Sequence, residues 1–264
     1  MAGLFSLLTG RIGAGPAAGP APLGPLDPPL CIIGDLHGRL DLLERMQARI
    51  AARPDAARAR IVVVGDMIDR GPDSAGVLRM LFSQTRFDGA RTVCLMGNHE
   101  RMMLDFLEDP ARHGPRWLAH GGADTLASFG LSPWARKAQS DAATQLTELA
   151  GALRAALPRG MLDWLTGLSA IWHEGRIAVA HAAADPARAI AAQEPESLLW
   201  GHRAFLRQPR RDGIWVAHGH TVVSTAHAAQ GRIAVDTGAW RSGRLSAAWI
   251  GADGLSFLEV DHPA

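Results

Sequence analysis

Residues 60–71 read Arg60-Ile61-Val62-Val63-Val64-Gly65-Asp66-Met67-Ile68-Asp69-Arg70-Gly71. The run Ile61 to Val64 is β-branched throughout and never alternates with polar residues, the pattern of a strand buried on both faces of a mostly parallel sheet. Gly65 lets the backbone turn there without a Cβ clash, so Asp66 stands at the strand's carboxyl end. Open α/β sheets bind ligands in the crevice at that end. Asp66, Asp69 and Arg70 are therefore expected in one pocket, and two acids with a guanidinium suit a metal ion together with a phosphate.

Two further stretches repeat the arrangement. Leu30 to Ile33 runs into Gly34-Asp35-Leu36-His37-Gly38, and Thr92 to Met96 runs into Gly97-Asn98-His99-Glu100. The spacing, roughly thirty residues, is about the length of a βαβ unit. Helical periodicity fills the intervals, over 40–52 and from Ser74 onward, and a third helix starts just after Asn98 and stops at Asp109-Pro110. From about 111 to 175 the pattern becomes helices and loops, read as an insertion that caps the site, with helices over 145–157 and 161–168. Strands return at 176–180, ending in His181, at 214–217, ending in His218-Gly219-His220-Thr221, and at 232–236. A hairpin follows over 245–250 and 255–260. Two sheets face to face with helices outside, and strand ends meeting at one edge, are the architecture this implies.

Of the 264 residues, 27 are Lys or Arg and 26 Asp or Glu, a net charge of +1. No global basic field results, so nucleic acid is not an expected partner. The length suits one domain over 29–264, after a Pro/Gly/Ala-rich tail over 1–28 that is expected to be flexible. No apolar run reaches the roughly eighteen to twenty residues of a membrane span. The apolar start Met1 to Leu8 has no basic residue ahead of it, a poor match to a signal peptide. Cys31 and Cys94 fall in buried strands and are read as free thiols, which points to a reducing, cytoplasmic compartment.

Asp35, His37, Asp66, Asn98, His181 and His220 form a mixed oxygen and imidazole set. Without thiolates, such a set suits manganese, iron or zinc. With Asp66 in the middle, two ions about 3.5 to 4 Å apart could share it and activate a water. Taken singly, each residue has a bland reading, an Asp in a turn or a solvated surface His; their recurrence at strand ends argues for ligands. His218 is either another ligand or a strand-end partner. His99, with Asp69 holding its other nitrogen, is a suitable general acid, and Arg70 offers a planar fork to phosphate oxygens. Arg203, in Leu198-Leu199-Trp200-Gly201-His202-Arg203, is a second candidate for phosphate, against the alternative of an ordinary surface arginine.

Gly34-Asp35-Leu36-His37-Gly38, Gly65-Asp66-Met67-Ile68-Asp69-Arg70-Gly71 and Gly97-Asn98-His99-Glu100 together resemble the three signature blocks of the serine/threonine phosphoprotein phosphatases, within the calcineurin-like metallophosphoesterase superfamily. His181-Ala182 and Gly219-His220-Thr221 resemble its two later histidine blocks, and the segment Trp117 to Gly130 is similar to the bacterial and phage-type branch. The resemblance implies an α/β fold, a four-layer αββα sandwich of two mixed sheets flanked by helices. It also implies two divalent ions, manganese first and iron or zinc as alternatives. Asp35, His37 and Asp66 would hold one ion, and Asp66, Asn98, His181 and His220 the other. Asp69 and His99 would be the acid dyad, with Arg70 and Asn98 on the phosphate. The implied activity is hydrolysis of phosphoserine or phosphothreonine, or of another small phosphoester, by attack of a metal-bridging hydroxide. Symmetrical cleavage of a dinucleoside tetraphosphate is the alternative. Ala183 stands where the family usually has glycine, and His202 where arginine is common, which leaves the second phosphate-binding arginine open.

Overall fold

In the computed structural model, which describes residues 20–88, 91–131 and 142–262, the three glycine-terminated runs become adjacent parallel strands. They are β1 (Leu30–Ile33), β2 (Arg60–Val63) and β3 (Thr92–Cys94). Helix α1 (Leu40–Ala51) joins the first pair and buries Leu42, Leu43, Met46 and Ile50 along one face. Helix α2 (Ser74–Phe87) joins the second; the Asp73 side chain accepts from the Gly76 N–H at 2.7 Å and so caps it. Helix α3 (Asn98–Glu108) starts directly off β3 and does end before Pro110. Asp109 and Pro110 also start another helix, α4 (Pro110–Trp117): proline suits a first turn that needs no N–H donor, and the Asp109 carboxylate accepts from the Arg112 N–H.

The expected helical stretch continues through a kinked turn (Leu118–Gly122) that breaks at Gly121, then α5 (Ala123–Ser128), α6 (Ala142–Ala156) and α7 (Met161–Thr166). It closes with a strand that periodicity did not reveal, β4 (Ile171–Glu174), whose His173 and Glu174 are exposed. Then come β5 (Ile177–Ala180), α8 (Pro195–Trp200), β6 (Trp215–His218), β7 (His227–Ala229), β8 (Arg232–Ala234), α9 (Ala239–Ser242), β9 (Arg244–Gly251) and β10 (Gly254–Asp261). The first sheet has the order β10-β9-β1-β2-β3, with the hairpin β9-β10 added antiparallel to β1. The second is β4-β5-β6-β8-β7, parallel at its centre with antiparallel edges.

Alternate residues of each central strand serve different cores, which is why the runs are apolar without a break. Leu30, Ile32 and Val62 face Val179, Ala217 and Ile233 of the other sheet. Cys31, Ile33 and Val63 face helices α1 to α7 through Leu42, Met46, Leu78, Phe106, Trp117 and Leu165. The outer face of the second sheet, Ala178, Ala180 and Val216, is covered by Ile190, Leu198 and Phe205, a thinner layer built on α8 and loops. The result is the expected αββα sandwich.

The tail expected over 1–28 is described only from residue 20. Residues 20–28 lie against the body: the Ala21 carbonyl accepts from Arg176 and from the Trp215 indole, Leu26 N–H donates to Gly251 O at 3.1 Å, and Leu23 and Leu26 pack on the inter-sheet core. These contacts fall on residues some 150 to 230 positions downstream, out of reach of local composition. The rest of that expectation, residues 1–19, lies outside the described residues.

Candidate metal centre

The loops after β1, β2 and β6 contain left-handed backbone at residues other than glycine: His37 (φ 44°), Asp66 (48°), Asp69 (73°), Arg70 (70°) and His220 (60°). Such conformations are costly and persist where surroundings over-determine them. Here the loops lock together. His37 N–H and Leu36 N–H both donate to Asp66 O, at 2.8 and 3.1 Å, and Gly38 N–H donates to Met67 O at 2.9 Å. Beneath them lies Glu100, fully buried, whose carboxylate accepts from the N–H groups of Asp66, Met67, Ile68 and Gly97 at 2.8 to 3.3 Å. Burial and then the Asp66 charge push its pKa up, yet four facing N–H donors leave no acceptor for a carboxyl proton, so the geometry is that of a carboxylate. Gly97 and Gly219 permit the approach of strands: a Cβ at either would strike the carboxylate of Asp66 or Asp35 respectively.

Asp66, 2% exposed, presents its two oxygens to two sides. Oδ2 lies 3.5 Å from His37 Nε2 and 3.9 Å from His99 Nε2; Oδ1 lies 3.3 Å from His181 Nε2. The Asn98 side-chain oxygen is 2.8 Å from His181 Nε2 and 3.0 Å from His220 Nδ1. Two groups sharing Asp66, namely His37/Asp66/His99 and Asp66/His181/His220, each keep their donor atoms within 4.8 Å of one another. Asp35 stands beside them, buried, its carboxylate accepting from the His220 N–H at 3.1 and 3.2 Å. His37 Nδ1 faces Ile68 O at 2.8 Å, which fixes the proton on Nδ1 and leaves the Nε2 lone pair toward Asp66.

Electrostatics agree with a cation-binding role. Burial pushes His37 down to about 3 and His181 to about 4, and lowers His220 as well, so the imidazoles are neutral donors at pH 7. Burial would raise Asp66, but the facing His181, His99 and His37 outweigh it and hold the carboxyl below its ordinary range. Asp35 is pushed well up by burial and by the nearby Asp236 and Asp66 carboxylates. Neutral imidazoles around crowded, buried acids carry an excess of negative charge that divalent cations would offset, and a nitrogen and oxygen set without sulfur suits a borderline or hard ion. The residues present fit the expected ions.

His99 Nδ1 lies 2.6 Å from Asp69 Oδ2, both side chains buried. Burial opposes the charge on His99, but Asp66 and Asp69 prevail and raise its pKa. Arg70 directs Nη1 to His37 Nε2 at 3.0 Å and rests its guanidinium over the Trp240 ring, 5.3 Å from the centroid. Asp35, His37, Asp66, Asp69, Arg70, Asn98, His99, His181 and His220 are thus brought together. Arg203 is exposed on the turn after α8 and makes no hydrogen bond or ion pair among the described residues, so no contact ties it to the cluster. His218 faces away from both donor groups, edge-on to Phe205 at 4.9 Å, which favours the strand-end alternative.

Sequence reading passed over five residues. Glu100 was flagged only as part of its block, although an acid three residues after a glycine at a helix start is a capping pattern. Asp236, buried next to Asp35, follows the strand-end rule that found Asp35 and Asp66. Trp117 and Thr125 entered only as part of the segment that resembles the bacterial and phage-type branch, and Trp240 carried no local signal of a role.

A family model described as calcineurin-like phosphoesterase matches residues 28–224. Serine/threonine-protein phosphatase 2 of Escherichia coli (strain K12) is 38% identical over 91 residues, 34% of this chain and 37% of that protein. Symmetrical bis(5'-nucleosyl)-tetraphosphatase of Acidovorax sp. (strain JS42) is 38% identical over 104 residues, 39% of this chain and 32% of that protein. The chain therefore spans about a third of the length of these curated relatives. A solved serine/threonine phosphatase from Saccharomyces cerevisiae, with similarity to human phosphatase PP5, shares the fold: TM-score 0.59 at 13% identity, over 89% of this chain and 81% of that one. With the family model covering residues 28–224, most of its length, the chain belongs to the calcineurin-like phosphoesterases.

Proposed function

We propose that the protein hydrolyses phosphomonoesters with two divalent metal ions, and that its substrates are phosphoserine or phosphothreonine in proteins. The observation that carries this reading is that one oxygen of Asp66 faces His37 Nε2 and the other His181 Nε2, with the His99–Asp69 pair alongside. Asp35, His37 and Asp66 would hold one ion, and Asp66, Asn98, His181 and His220 the other. When bound, the ions supply Lewis acidity and a water of lowered pKa for in-line attack. Arg70 presents its fork to the equatorial phosphate oxygens, and the Asn98 amide faces the same space. His99 gives its proton to the departing alkoxide, oriented by Asp69. These parts need no covalent phosphoenzyme.

Manganese is the proposed ion, with iron or zinc after it. The cytoplasm is the proposed compartment, supported by two buried free thiols. Among the described residues no helix is long and apolar enough to cross a membrane. Similarity to a symmetrical bis(5'-nucleosyl)-tetraphosphatase over 39% of the chain supports a second reading, cleavage of a nucleotide phosphoanhydride at the same site. Turnover by the manganese-loaded chain on a phosphoserine peptide, 4-nitrophenyl phosphate and diadenosine tetraphosphate separates the two. The first reading predicts hydrolysis of the two monoesters, and cleavage of the tetraphosphate alone would overturn it.

A further inference from the structure

Asp69 is more heavily held than an orienting carboxylate requires. It is fully buried, and its two oxygens together accept three side-chain hydrogen bonds. Oδ2 takes His99 Nδ1 at 2.6 Å and the Trp117 indole Nε1–H at 3.0 Å; Oδ1 takes the Thr125 hydroxyl at 2.6 Å. The Thr125 oxygen accepts in turn from Asp69 N–H at 2.9 Å, and Ser74 Oγ lies 3.0 Å from the same N–H. Trp117 and Thr125 both belong to the helical stretch after Pro110, outside the three signature loops.

The backbone of that stretch is shaped for this contact. Between Trp117 and Thr125 the chain kinks at Gly121, whose backbone is not helical and which separates two helical pieces. Gly121 sits at φ 108°, where a Cβ would meet Arg70 N at 2.7 Å and Arg70 Cγ at 2.8 Å. A Cβ at Gly122 would strike the Trp117 ring itself. The glycine pair therefore lets the turn lie flat on Asp69 and Arg70 while the indole slides beneath it, clamped from the other side by Phe106 at 4.9 Å between ring centroids. Trp117 is completely buried. Its N–H and the His99 N–H share one oxygen, so the indole fixes where Oδ2 points and hence the plane of the imidazole.

We infer that Trp117, with Thr125, is a positioning residue for the His99–Asp69 pair, setting the orientation in which His99 meets the leaving oxygen of the substrate. The inference rests on the proposed role of His99 and extends the site into the helical stretch. Phenylalanine at 117 keeps most of the ring and removes the N–H; valine at 125 keeps the shape and removes the hydroxyl, and serine restores it.

An alkyl leaving group depends on proton donation, whereas 4-nitrophenolate departs almost unaided. General acid catalysis is worth roughly 10²- to 10⁴-fold, so imperfect aim should forfeit about ten-fold of it. Trp117→Phe and Thr125→Val should lower kcat on a phosphoserine peptide by about ten-fold, change kcat on 4-nitrophenyl phosphate by less than about two-fold, and leave KM alike. Thr125→Ser should recover the peptide rate. Combined with His99→Asn, Trp117→Phe should cost nothing more. Equal losses on both esters, or an additive loss in the double variant, would overturn the inference.

A second readout does not depend on turnover. In metal-free protein, the His99 Nδ1 proton should give a downfield proton resonance, assigned by its disappearance in His99→Asn. It should shift in Trp117→Phe at unchanged far-ultraviolet circular dichroism, and an unmoved resonance would refute the positioning role. Absence of wild-type turnover on either ester would instead count against the proposed hydrolysis and leave this magnetic-resonance result to decide the inference.

Discussion

Replacing Glu100 by glutamine isolates the buried support on which the Asp66 loop stands. Oε2 accepts from Asp66 N–H and Gly97 N–H, both at 2.9 Å, and Oε1 accepts from Met67 N–H at 2.8 Å and Ile68 N–H at 3.3 Å. In glutamine one of these oxygens becomes an NH2 group that faces two N–H donors. Each buried donor left without an acceptor costs about 1 to 3 kcal/mol, so the substitution should cost about 2 to 6 kcal/mol. That is a large share of the 5 to 15 kcal/mol typical of a domain. The loss should also reach the metals, because the same N–H groups hold Asp66 at its left-handed φ of 48°. Urea unfolding of metal-free Glu100→Gln against wild type measures the first effect, and manganese titration by calorimetry the second. A stability change under about 1 kcal/mol with unaltered metal affinity would refute the claim that Glu100 organises the loop.

Acid should destabilise the metal-free protein through its buried histidines. Burial pushes His37 down to about 3, and His181 and His218 to about 4, whereas in the unfolded chain each titrates near 6.5. Below about 6.5 the unfolded state takes up protons that the folded state refuses, so stability is full above that pH and falls through 4, by up to about 1.4 kcal/mol per pH unit for each group. The ring resonances of His37, His181 and His218 should therefore keep their neutral shifts down to about pH 5 in the folded metal-free protein, and titration near 6.5 would contradict the buried neutral state. Cys31 and Cys94 are 0% and 4% exposed, and burial pushes the Cys31 thiol up to about 12 and Cys94 higher still. Neither should react with a thiol-specific disulfide reagent at pH 8 until urea unfolds the chain; prompt labelling of the native protein would contradict their placement.

The parts of the fold that could be read in advance were those whose signal is local. Ile61 to Val64 feeds two cores at once, so its apolar run marked a central strand. The turn glycines behind it placed Asp35, Asp66 and Asn98 at strand tips. Strand β7 was hidden because His227, Ala228 and Ala229 lie on a sheet edge with little buried surface, and β4 was hidden for the same reason. In the site, ligand-type residues were legible because their chemistry is unusual after a strand. Trp117 was not, because its indole looks like any core aromatic until a hydrogen bond joins it to a carboxylate 48 residues earlier. Arg203 is exposed after α8 with no hydrogen bond or ion pair among the described residues, so its reading as a phosphate ligand rests on its type and place in the sequence alone.

The sharing of Asp66 between two donor groups is tested most directly by metal analysis after equilibrium dialysis against manganese. Wild type should retain two ions per chain, His37→Ala and His220→Ala one each, and Asp66→Asn should weaken both sites, with the spin-coupled resonance of a manganese pair seen in wild type alone. One ion per chain in the wild type, or two retained in Asp66→Asn with the coupled signal intact, would contradict it.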